Sequence, residues 1–240
     1  MTLLQFGIGT VNDIVDAPRD AGRKAGKPIP AGLVSSSAAR VLATACFATG
    51  ILLAAAASIP TGLLAVIGIA IGLAYDLRLK GTAWSWLPFA VGIPILPVFG
   101  WIGVTGTLPA AFLVLLPAAV AAGAALAIGN ALVDVERDRA ASVSSIAVAL
   151  GPARAWRVAA ALMASILAAA VGSVAVAGGD LIAIVAIAVT GSIPVVAAIG
   201  SRSASSAVRE RAWQAETIGL ALLAAVWLAT VLADAVRPTG

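Results

Sequence analysis

Long uncharged stretches of apolar residues recur along this 240-residue chain, and they limit its fold more than any other feature does. Several of them are long enough, at about 1.5 Å of rise per helical residue, to cross a hydrocarbon layer about 30 Å thick. Because lipid offers no hydrogen-bond partners, a backbone that crosses it must satisfy its own N–H and C=O groups, as an α-helix does. The short alternating segments of a membrane β-barrel are not visible. The sequence therefore predicts an all-α, polytopic membrane bundle.

The composition excludes several kinds of chemistry. The chain is 61% hydrophobic and 11% charged, whereas a soluble domain carries about 25% charged residues. It has no histidine, and its single cysteine, Cys46, lies inside an apolar stretch. Histidine-based acid–base catalysis, Ser–His triads and zinc sites built on His or paired thiolates are therefore excluded. The net charge of +4 is concentrated in particular connections, so we expect a lipid bilayer and not a nucleic acid as its partner.

Eight apolar segments follow one another in what we interpret as a single transmembrane domain, residues 1–240. They are Thr2–Val15, Ala38–Ser58, Leu63–Leu77, Trp84–Val104, Pro109–Val133, Ala153–Val176, Leu181–Ile199 and Ala212–Ala233. The first is short, since about 14 residues span about 21 Å. A signal peptide begins with basic residues, and none precedes this segment, so it does not resemble one. We expect either that another helix precedes it or that its neighbours hold it in the membrane.

Basic residues are confined almost entirely to alternate connections. The basic connections are 16–37, 78–83, 134–152 and 200–211. The connections at 59–62, 105–107 and 177–180 carry no base, and Arg237 is the one base of the C-terminal tail. By the positive-inside rule, this alternation predicts a multi-pass protein of the cell membrane whose charged connections face the cytoplasm.

Two of the basic connections begin with the same polar pattern, an amide followed by two carboxylates at intervals of four residues. The two triplets are Asn12, Asp16 and Asp20, and Asn130, Asp134 and Asp138. Four residues turn a helix by about 400°, so each triplet is expected to stay on one helix face. Pro18 is expected to interrupt the first series, so that Asp20 folds back.

Paired triplets at the same membrane depth indicate a metal site more strongly than either triplet alone. Carboxylates near lipid are costly unless they are paired or bind metal, and oxygen ligands of this kind suit Mg²⁺, which also takes substrate phosphate and water. We therefore expect the triplets to face each other and hold two Mg²⁺ ions around one diphosphate, with nearby bases on the remaining phosphate oxygens. The alternative is a pair of solvated helix caps.

The residues around the triplets resemble signatures of the UbiA superfamily of intramembrane prenyltransferases. NDIVDAPRD with KAGKPIPAG, within 12–32, is similar to the first signature, and DVERDRAAS at 134–142 is similar to the second. AYDLRLKG at 74–81 resembles the Tyr-x-x-x-x-Lys stretch of the superfamily. The second stretch departs from the pattern, because Ser142 and Val143 stand where related members have Gly and Lys.

This resemblance implies a nine-helix fold, of which eight helices are visible here, with a cytoplasmic active site. It also implies Mg²⁺-dependent ionisation of an allylic polyprenyl diphosphate and transfer of the prenyl group to a lipophilic, often aromatic acceptor. The implied metal ligands are Asn12, Asp16 and Asp20 for one ion and Asn130, Asp134 and Asp138 for the other. The implied diphosphate ligands are Lys24 or Lys27, Lys80 and Arg139. Asp16, Asp134 and Tyr75 are the implied catalytic residues, with Tyr75 near the bond that breaks.

Two other functions remain open at this point. The same fold acting as a terpene cyclase would ionise the diphosphate without an acceptor. A transporter or cation channel is the non-enzymatic alternative, although it would place its acids at mid-membrane.

Overall fold

The computed structural model describes residues 1–22 and 26–236, and within these residues its regular secondary structure is entirely helical. Ten α-helices and one π-helical turn follow one another in this part of the chain. They are α1 (Thr2–Asp20), α2 (Ser36–Ala57), α3 (Ile59–Ala74), the π turn (Tyr75–Leu79), α4 (Leu87–Thr105), α5 (Phe112–Val133), α6 (Val135–Ala140), α7 (Ile146–Leu150), α8 (Pro152–Val176), α9 (Leu181–Gly200) and α10 (Ser206–Val236). The prediction of an all-α membrane fold is confirmed.

Each predicted apolar segment coincides with one of the long helices. Seven helices in the described part of the chain are long and apolar enough to cross a membrane, namely α2, α3 with the π turn, α4, α5, α8, α9 and α10. The largest difference in bounds is at α10, which begins at Ser206 instead of Ala212. The additional turns carry charged side chains, so hydropathy alone did not reveal them.

Helix α1 also differs from its prediction. It continues beyond Val15 to Asp20, with Pro18 inside it. The expectation that Pro18 interrupts the helix is therefore wrong. Proline lacks an N–H donor and its ring crowds the carbonyl four residues earlier, yet the helix continues past Pro18, and the Ala21 N–H bonds to the Ala17 carbonyl at 3.1 Å. The charged side chains at the end of α1 explain why this helix is not among the seven that are long and apolar enough to cross a membrane.

One compact unit comprises the described residues of Met1–Lys80 together with Pro94–Leu108. In it α1 packs against α2 and α3, and α2 packs against α3. Its apolar core includes Leu4 of α1, Ala54 of α2 and Ala65 of α3. Ser58 separates α2 from α3, because its backbone is extended and its hydroxyl oxygen accepts a hydrogen bond from the Thr61 N–H at 3.2 Å.

A second compact unit comprises Gly81–Ile93 and the described residues from Pro109 onward. Here α5 packs against α8 and α10, and α9 packs against both α8 and α10. The core near the end of α5 combines Ile128 and Leu132 with Ala147, Ala155 and Ala159. The three alanines are fully buried, and such small residues let helix backbones approach closely, as is common within membranes.

Helix α5 approaches the first turn of α4 closely at Gly123. A Cβ at this position would lie 2.2 Å from the carbonyl oxygen of Phe89, on the first turn of α4. Backbone cannot yield as a flexible side chain can. Gly123→Ala is therefore expected to lower the free energy of unfolding by about 1–3 kcal/mol, measured as a reduced thermal midpoint in a neutral detergent.

Gly172 of α8 provides the matched control. No atom lies within 4 Å of the position of its Cβ, so Gly172→Ala is expected to leave the thermal midpoint unchanged or to raise it, as alanine favours helix by about 0.5–1 kcal/mol. Equal midpoints for the two variants would show that the close approach of α5 to α4 is unimportant.

Candidate active site

The acidic end of α1 is joined to the π turn by two polar contacts. The side-chain nitrogen of Asn12 donates a hydrogen bond to Asp76 Oδ1 at 2.7 Å. One helical turn further along α1, Asp16 Oδ2 accepts from Lys80 Nζ at 2.5 Å. The Asp16 side chain is 13% exposed and that of Lys80 is 25% exposed, so this ion pair is largely shielded from water.

The π turn gives this region its unusual backbone. The Lys80 N–H bonds to the Tyr75 carbonyl, five residues back, at 2.8 Å. Turns of this kind are rare and occur often at functional sites. Lys80 Nζ also lies 6.0 Å from the centre of the Tyr75 ring. The structure thus brings together three residues singled out from the sequence, Asp16, Tyr75 and Lys80, whereas Arg78 on the same turn is exposed.

Asp76 is a residue that the sequence reasoning missed. It is 4% exposed, and within the described residues its Oδ2 atom has no hydrogen-bond partner. The signal that could have found it is the acid itself, since an ionisable side chain inside an apolar stretch is a candidate functional residue. Because the amide nitrogen of Asn12 donates to Asp76, this bond fixes the orientation of the Asn12 amide group.

Asp13 and Asp20 lie on either side of Asp16 along α1 and have different environments. Asp13 forms an ion pair with Lys27, which follows a turn that includes Gly26 in the left-handed conformation, at a φ of 90°. The hydrogen bond from Lys27 to Asp13 is the main cause that raises the pKa of this lysine above its usual value of 10.5. Asp20 is buried, at 7% exposure.

Two basic residues considered in the sequence analysis, Lys24 and Arg237, lie outside the described residues. The choice between Lys24 and Lys27 as a diphosphate ligand therefore stays a prediction.

The second triplet does not lie on one continuous helix. Helix α5 ends at Val133, Asp134 has φ −105° and ψ 9°, and α6 begins at Val135. The expectation of an unbroken helical series is therefore wrong at Asp134. The irregularity is local, since the Asp138 N–H still bonds to the Asp134 carbonyl at 2.9 Å.

The second triplet is also more open to solvent than the first. The Asp134 carboxylate pairs with Arg137, three residues later, and the two side chains are 42% and 63% exposed. Asn130 and Asp138 are half-buried and Arg139 is exposed. Ser142, which stands where the superfamily pattern has Gly, adopts a φ of 56°, a left-handed conformation that costs about 1–2 kcal/mol for residues other than Gly.

A buried carboxylate lies next to this triplet. Glu216 of α10 is fully buried, and its Oε1 atom accepts a hydrogen bond from the Ser201 hydroxyl at 3.1 Å. Its Oε2 atom lies against Gly129, where a Cβ would approach it to 2.7 Å. Gly129 precedes Asn130 directly, so Glu216 packs against the backbone from which the triplet begins.

The oxygen donors fit a hard divalent cation in type. Within residues 1–22 and 26–236, no three Asp, Glu, Cys or His side chains gather as a preformed metal cluster. Mg²⁺ is commonly held by one or two protein carboxylates together with substrate phosphates and water. A Mg²⁺ site in which substrate phosphates provide some of the metal ligands agrees with that preference.

The pairing of Lys27 with Asp13 predicts a difference in chemical reactivity. A raised pKa means that Lys27 keeps its proton at neutral pH and that the stabilising ion pair is lost only as the pH rises through that pKa. At about pH 9, Asp13→Asn is expected to lower the Lys27 pKa and to accelerate its acetylation, measured by peptide mass spectrometry. Lys80, whose partner is Asp16, serves as the internal control. An unchanged Lys27 rate would contradict the pairing.

Comparison with known proteins identifies related chains. A sequence model of the UbiA prenyltransferase family matches residues 1–216. Digeranylgeranylglyceryl phosphate synthase of Methanopyrus kandleri is 33% identical over 156 residues. That match covers 64% of this chain and 56% of the synthase, so the chain spans little more than half the length of this relative.

Solved structures share the fold. A UbiA homologue from Aeropyrum pernix K1 has a TM-score of 0.72 at 20% identity, with 95% of this chain and 85% of that chain covered. A UbiA homologue from Archaeoglobus fulgidus bound to DMAPP and Mg²⁺ has a TM-score of 0.63 at 18% identity, with 94% and 86% covered. The seven helices long and apolar enough to cross a membrane in the described residues indicate a multi-pass membrane protein, and because the family match extends over 216 of the 240 residues, this chain belongs to the UbiA prenyltransferase family.

Proposed function

We propose that this chain is a prenyltransferase that uses Mg²⁺ to ionise an allylic polyprenyl diphosphate in the membrane and passes the prenyl group to a lipophilic acceptor. The observation that carries the proposal is the pairing of Asp16 with Lys80 beside the pairing of Asn12 with Asp76. Oxygen ligands for a hard cation and an ammonium group for a phosphate thus occur side by side. Family membership and the Archaeoglobus fulgidus homologue bound to DMAPP and Mg²⁺ support the same reaction.

Each Asn/Asp triplet is proposed to supply oxygen ligands for one Mg²⁺ ion. In the first, Asp16 and Asp20 offer carboxylates, and the amide oxygen of Asn12 is oriented by the bond of its nitrogen to Asp76. In the second, Asn130, Asp134 and Asp138 offer the same kinds of atoms, a proposal that rests on the sequence pattern. Bound Mg²⁺ would supply Lewis-acid neutralisation of the diphosphate, which makes it a better leaving group.

Lys80 is proposed to hold the diphosphate while it remains next to Asp16. An ammonium group has three N–H donors, and Asp16 accepts one of them. The other two can bond to phosphate oxygens without breaking the ion pair. Lys27 and Arg139 are proposed to contribute further positive charge, and Lys24 remains the alternative to Lys27.

The proposed reaction breaks the allylic C–O bond, and its electron pair leaves with the diphosphate. A nucleophilic atom of the acceptor then forms a bond to the allylic carbon and loses a proton. Tyr75, near Lys80, is proposed to face the bond that breaks. Apolar helices on either side of such a site exclude water, which would otherwise capture the cation, and they stabilise the prenyl chain by about 0.8 kcal/mol per buried CH₂.

The acceptor and the orientation are also proposals. The superfamily resemblance favours an aromatic acceptor, whereas the name of the Methanopyrus kandleri relative favours a glyceryl phosphate lipid as a second candidate. The alternation of basic and uncharged connections supports a cytoplasmic position for both triplets.

Diphosphate release separates the proposed activity from its alternatives. Membranes that contain the protein are incubated with Mg²⁺ and a radiolabelled prenyl diphosphate, with and without an aromatic or a glyceryl phosphate acceptor. We expect release to depend on an acceptor and the label to move to it. Diphosphate release at the same rate with and without an acceptor would favour a terpene cyclase. Metal uptake without diphosphate release would favour transport.

Removal of one carboxylate from either triplet is expected to abolish turnover. Loss of an outer-shell partner typically costs 10–100-fold, so Asp16→Ala or Asp134→Ala, which removes a proposed ligand, should slow diphosphate release at least about 100-fold. Glu210→Ala, an exposed carboxylate of α10 that belongs to neither triplet, is the matched control. Wild-type rates in either triplet variant with Mg²⁺ present would refute the assignment of two metals.

Asp76 is expected to act as a positioning residue through Asn12. Asp76→Ala removes the acceptor of the Asn12 amide and should raise the Mg²⁺ concentration needed for half-maximal activity by about 10–100-fold. Asp76→Asn keeps an acceptor oxygen at the same place and should restore most of the Mg²⁺ response. A loss of maximal rate with an unchanged Mg²⁺ requirement in both variants would show that Asp76 has only a structural role.

A further inference from the structure

Asp134 interrupts the helix that carries the second triplet, and Arg209 of α10 contacts residues on both sides of this interruption. Helix α5 ends at Val133, and α6 begins at Val135. One terminal nitrogen of Arg209 donates to the Val133 carbonyl at 3.2 Å and also to the Glu136 carboxylate of α6. These two bonds join the end of α5 to α6 across the irregular residue.

The two bonds satisfy a helix-end carbonyl and a buried charge. The carbonyl of the last residue of a helix has no N–H partner within that helix, and Arg209 provides one for Val133. Arg209 is 3% exposed, whereas the Glu136 side chain is 61% exposed, so the pair compensates the charge of the arginine above all. Buried ion pairs are weak sources of stability, and their best-attested role is to fix register.

The other terminal nitrogen joins Arg209 to the connection between α9 and α10. It donates to the carbonyls of Ser203 at 2.8 Å and Ala204 at 3.1 Å. The four N–H groups of the two terminal nitrogens therefore bond to four different acceptors. A lysine ammonium group has three N–H donors on a single nitrogen, so lysine cannot make these four bonds although it carries the same charge.

The same face of α10 also contacts α5 just before the second triplet. Trp213 and Glu216 follow Arg209 by four and seven residues, a spacing that keeps all three on one helix face. The Trp213 indole N–H donates to the Leu126 carbonyl at 3.1 Å. Glu216 Oε2 lies against Gly129. Helix α10 therefore contacts the backbone both before the triplet begins and within it.

Arg209 acts through other residues and not on a substrate. Its terminal N–H groups already bond to protein acceptors, and its Nε atom is buried as well. A phosphate could bond to the terminal nitrogens only if it displaced one of these acceptors. The contacts therefore give Arg209 the properties of a positioning residue.

We propose that Arg209 positions the second metal site by holding the backbone on both sides of Asp134. Asp138 follows Glu136 by two residues on α6, so the bond to Glu136 also limits the movement of Asp138 relative to Asp134. The inference rests on the proposed function, in which these carboxylates bind one Mg²⁺ ion. The first triplet makes no use of Arg209, so we expect only one of the two ions to depend on it.

Binding of Mn²⁺ to the full chain tests the proposal without turnover. Mn²⁺ is a paramagnetic substitute for Mg²⁺, and electron paramagnetic resonance counts the bound ions in a neutral detergent with inorganic diphosphate present. We expect two ions in the wild-type chain and one in Asp134→Ala. Arg209→Lys is expected to weaken binding of the ion that Asp134→Ala removes by about 10–100-fold and to leave the other ion unchanged.

Glu136→Asp provides a second variant that conserves charge. Its side chain is one methylene shorter, which separates the carboxylate from Arg209, and we expect the same ion to bind about tenfold more weakly. Because Glu136 is exposed, this variant is expected to fold even where Arg209→Lys does not. The matched controls are Arg211→Lys and Glu210→Asp, at exposed positions of α10, and both are expected to bind two ions as the wild type does.

The possible failures of the inference and of the proposed function give different results. Equal weakening of both ions in Arg209→Lys would show a general structural role and overturn the inference. Wild-type binding in both Arg209→Lys and Glu136→Asp would overturn it as well, while the loss of one ion in Asp134→Ala would leave the proposed function intact. A wild-type chain that binds fewer than two ions, or two ions bound in Asp134→Ala, would refute the proposed metal sites and this inference with them.

Discussion

The cost of placing charge beside a hydrocarbon layer governs the arrangement of polar residues in this chain. Asp16 lies against Lys80, and Asp76 accepts the amide hydrogen of Asn12. In the second unit the buried guanidinium of Arg209 is bonded to a carboxylate and to three backbone carbonyls. Each contact joins the end of one helix to a neighbouring segment. The interactions that make buried charge tolerable therefore also fix the positions of the side chains that the proposed chemistry requires.

The long helices could be predicted because a backbone that crosses a membrane must satisfy its own hydrogen bonds, and a sufficiently long apolar stretch indicates such a crossing. The helix bounds differ from their predictions at the charged helix ends, where the backbone is no longer surrounded by lipid. Pro18 remains inside α1, Asp134 separates α5 from α6, and α10 begins at Ser206. At these positions polar side chains and solvent can satisfy the backbone, so hydropathy no longer determines where a helix begins or ends.

The residues of the first triplet could be selected from their spacing, but their partners could not. The Tyr-x-x-x-x-Lys resemblance favoured Lys80 over Arg78, but nothing in the sequence paired Lys80 with Asp16, 64 residues away along the chain, as the structure does. Asp76 could have been selected as an acid inside an apolar stretch, but its contact with Asn12, which also spans 64 residues, could not have been predicted. Ser142 is a different case. The superfamily pattern has glycine at this position, and the φ of 56° explains that preference, so this conformation could have been inferred from the sequence.

The two triplets, proposed above as metal sites, differ in how readily a metal ion could replace the basic side chain that pairs with each. Asp134 and Arg137 are 42% and 63% exposed, and ion pairs of this kind contribute about 0–1 kcal/mol, so a metal can displace Arg137 at little cost. Asp16 is 13% exposed and paired with Lys80, and removal of a partner from a shielded carboxylate is more costly. The first triplet therefore favours a ligand that brings a cation and an anion together, because the anion can bind Lys80 while the cation binds Asp16. A metal diphosphate has this property, whereas a metal ion alone does not.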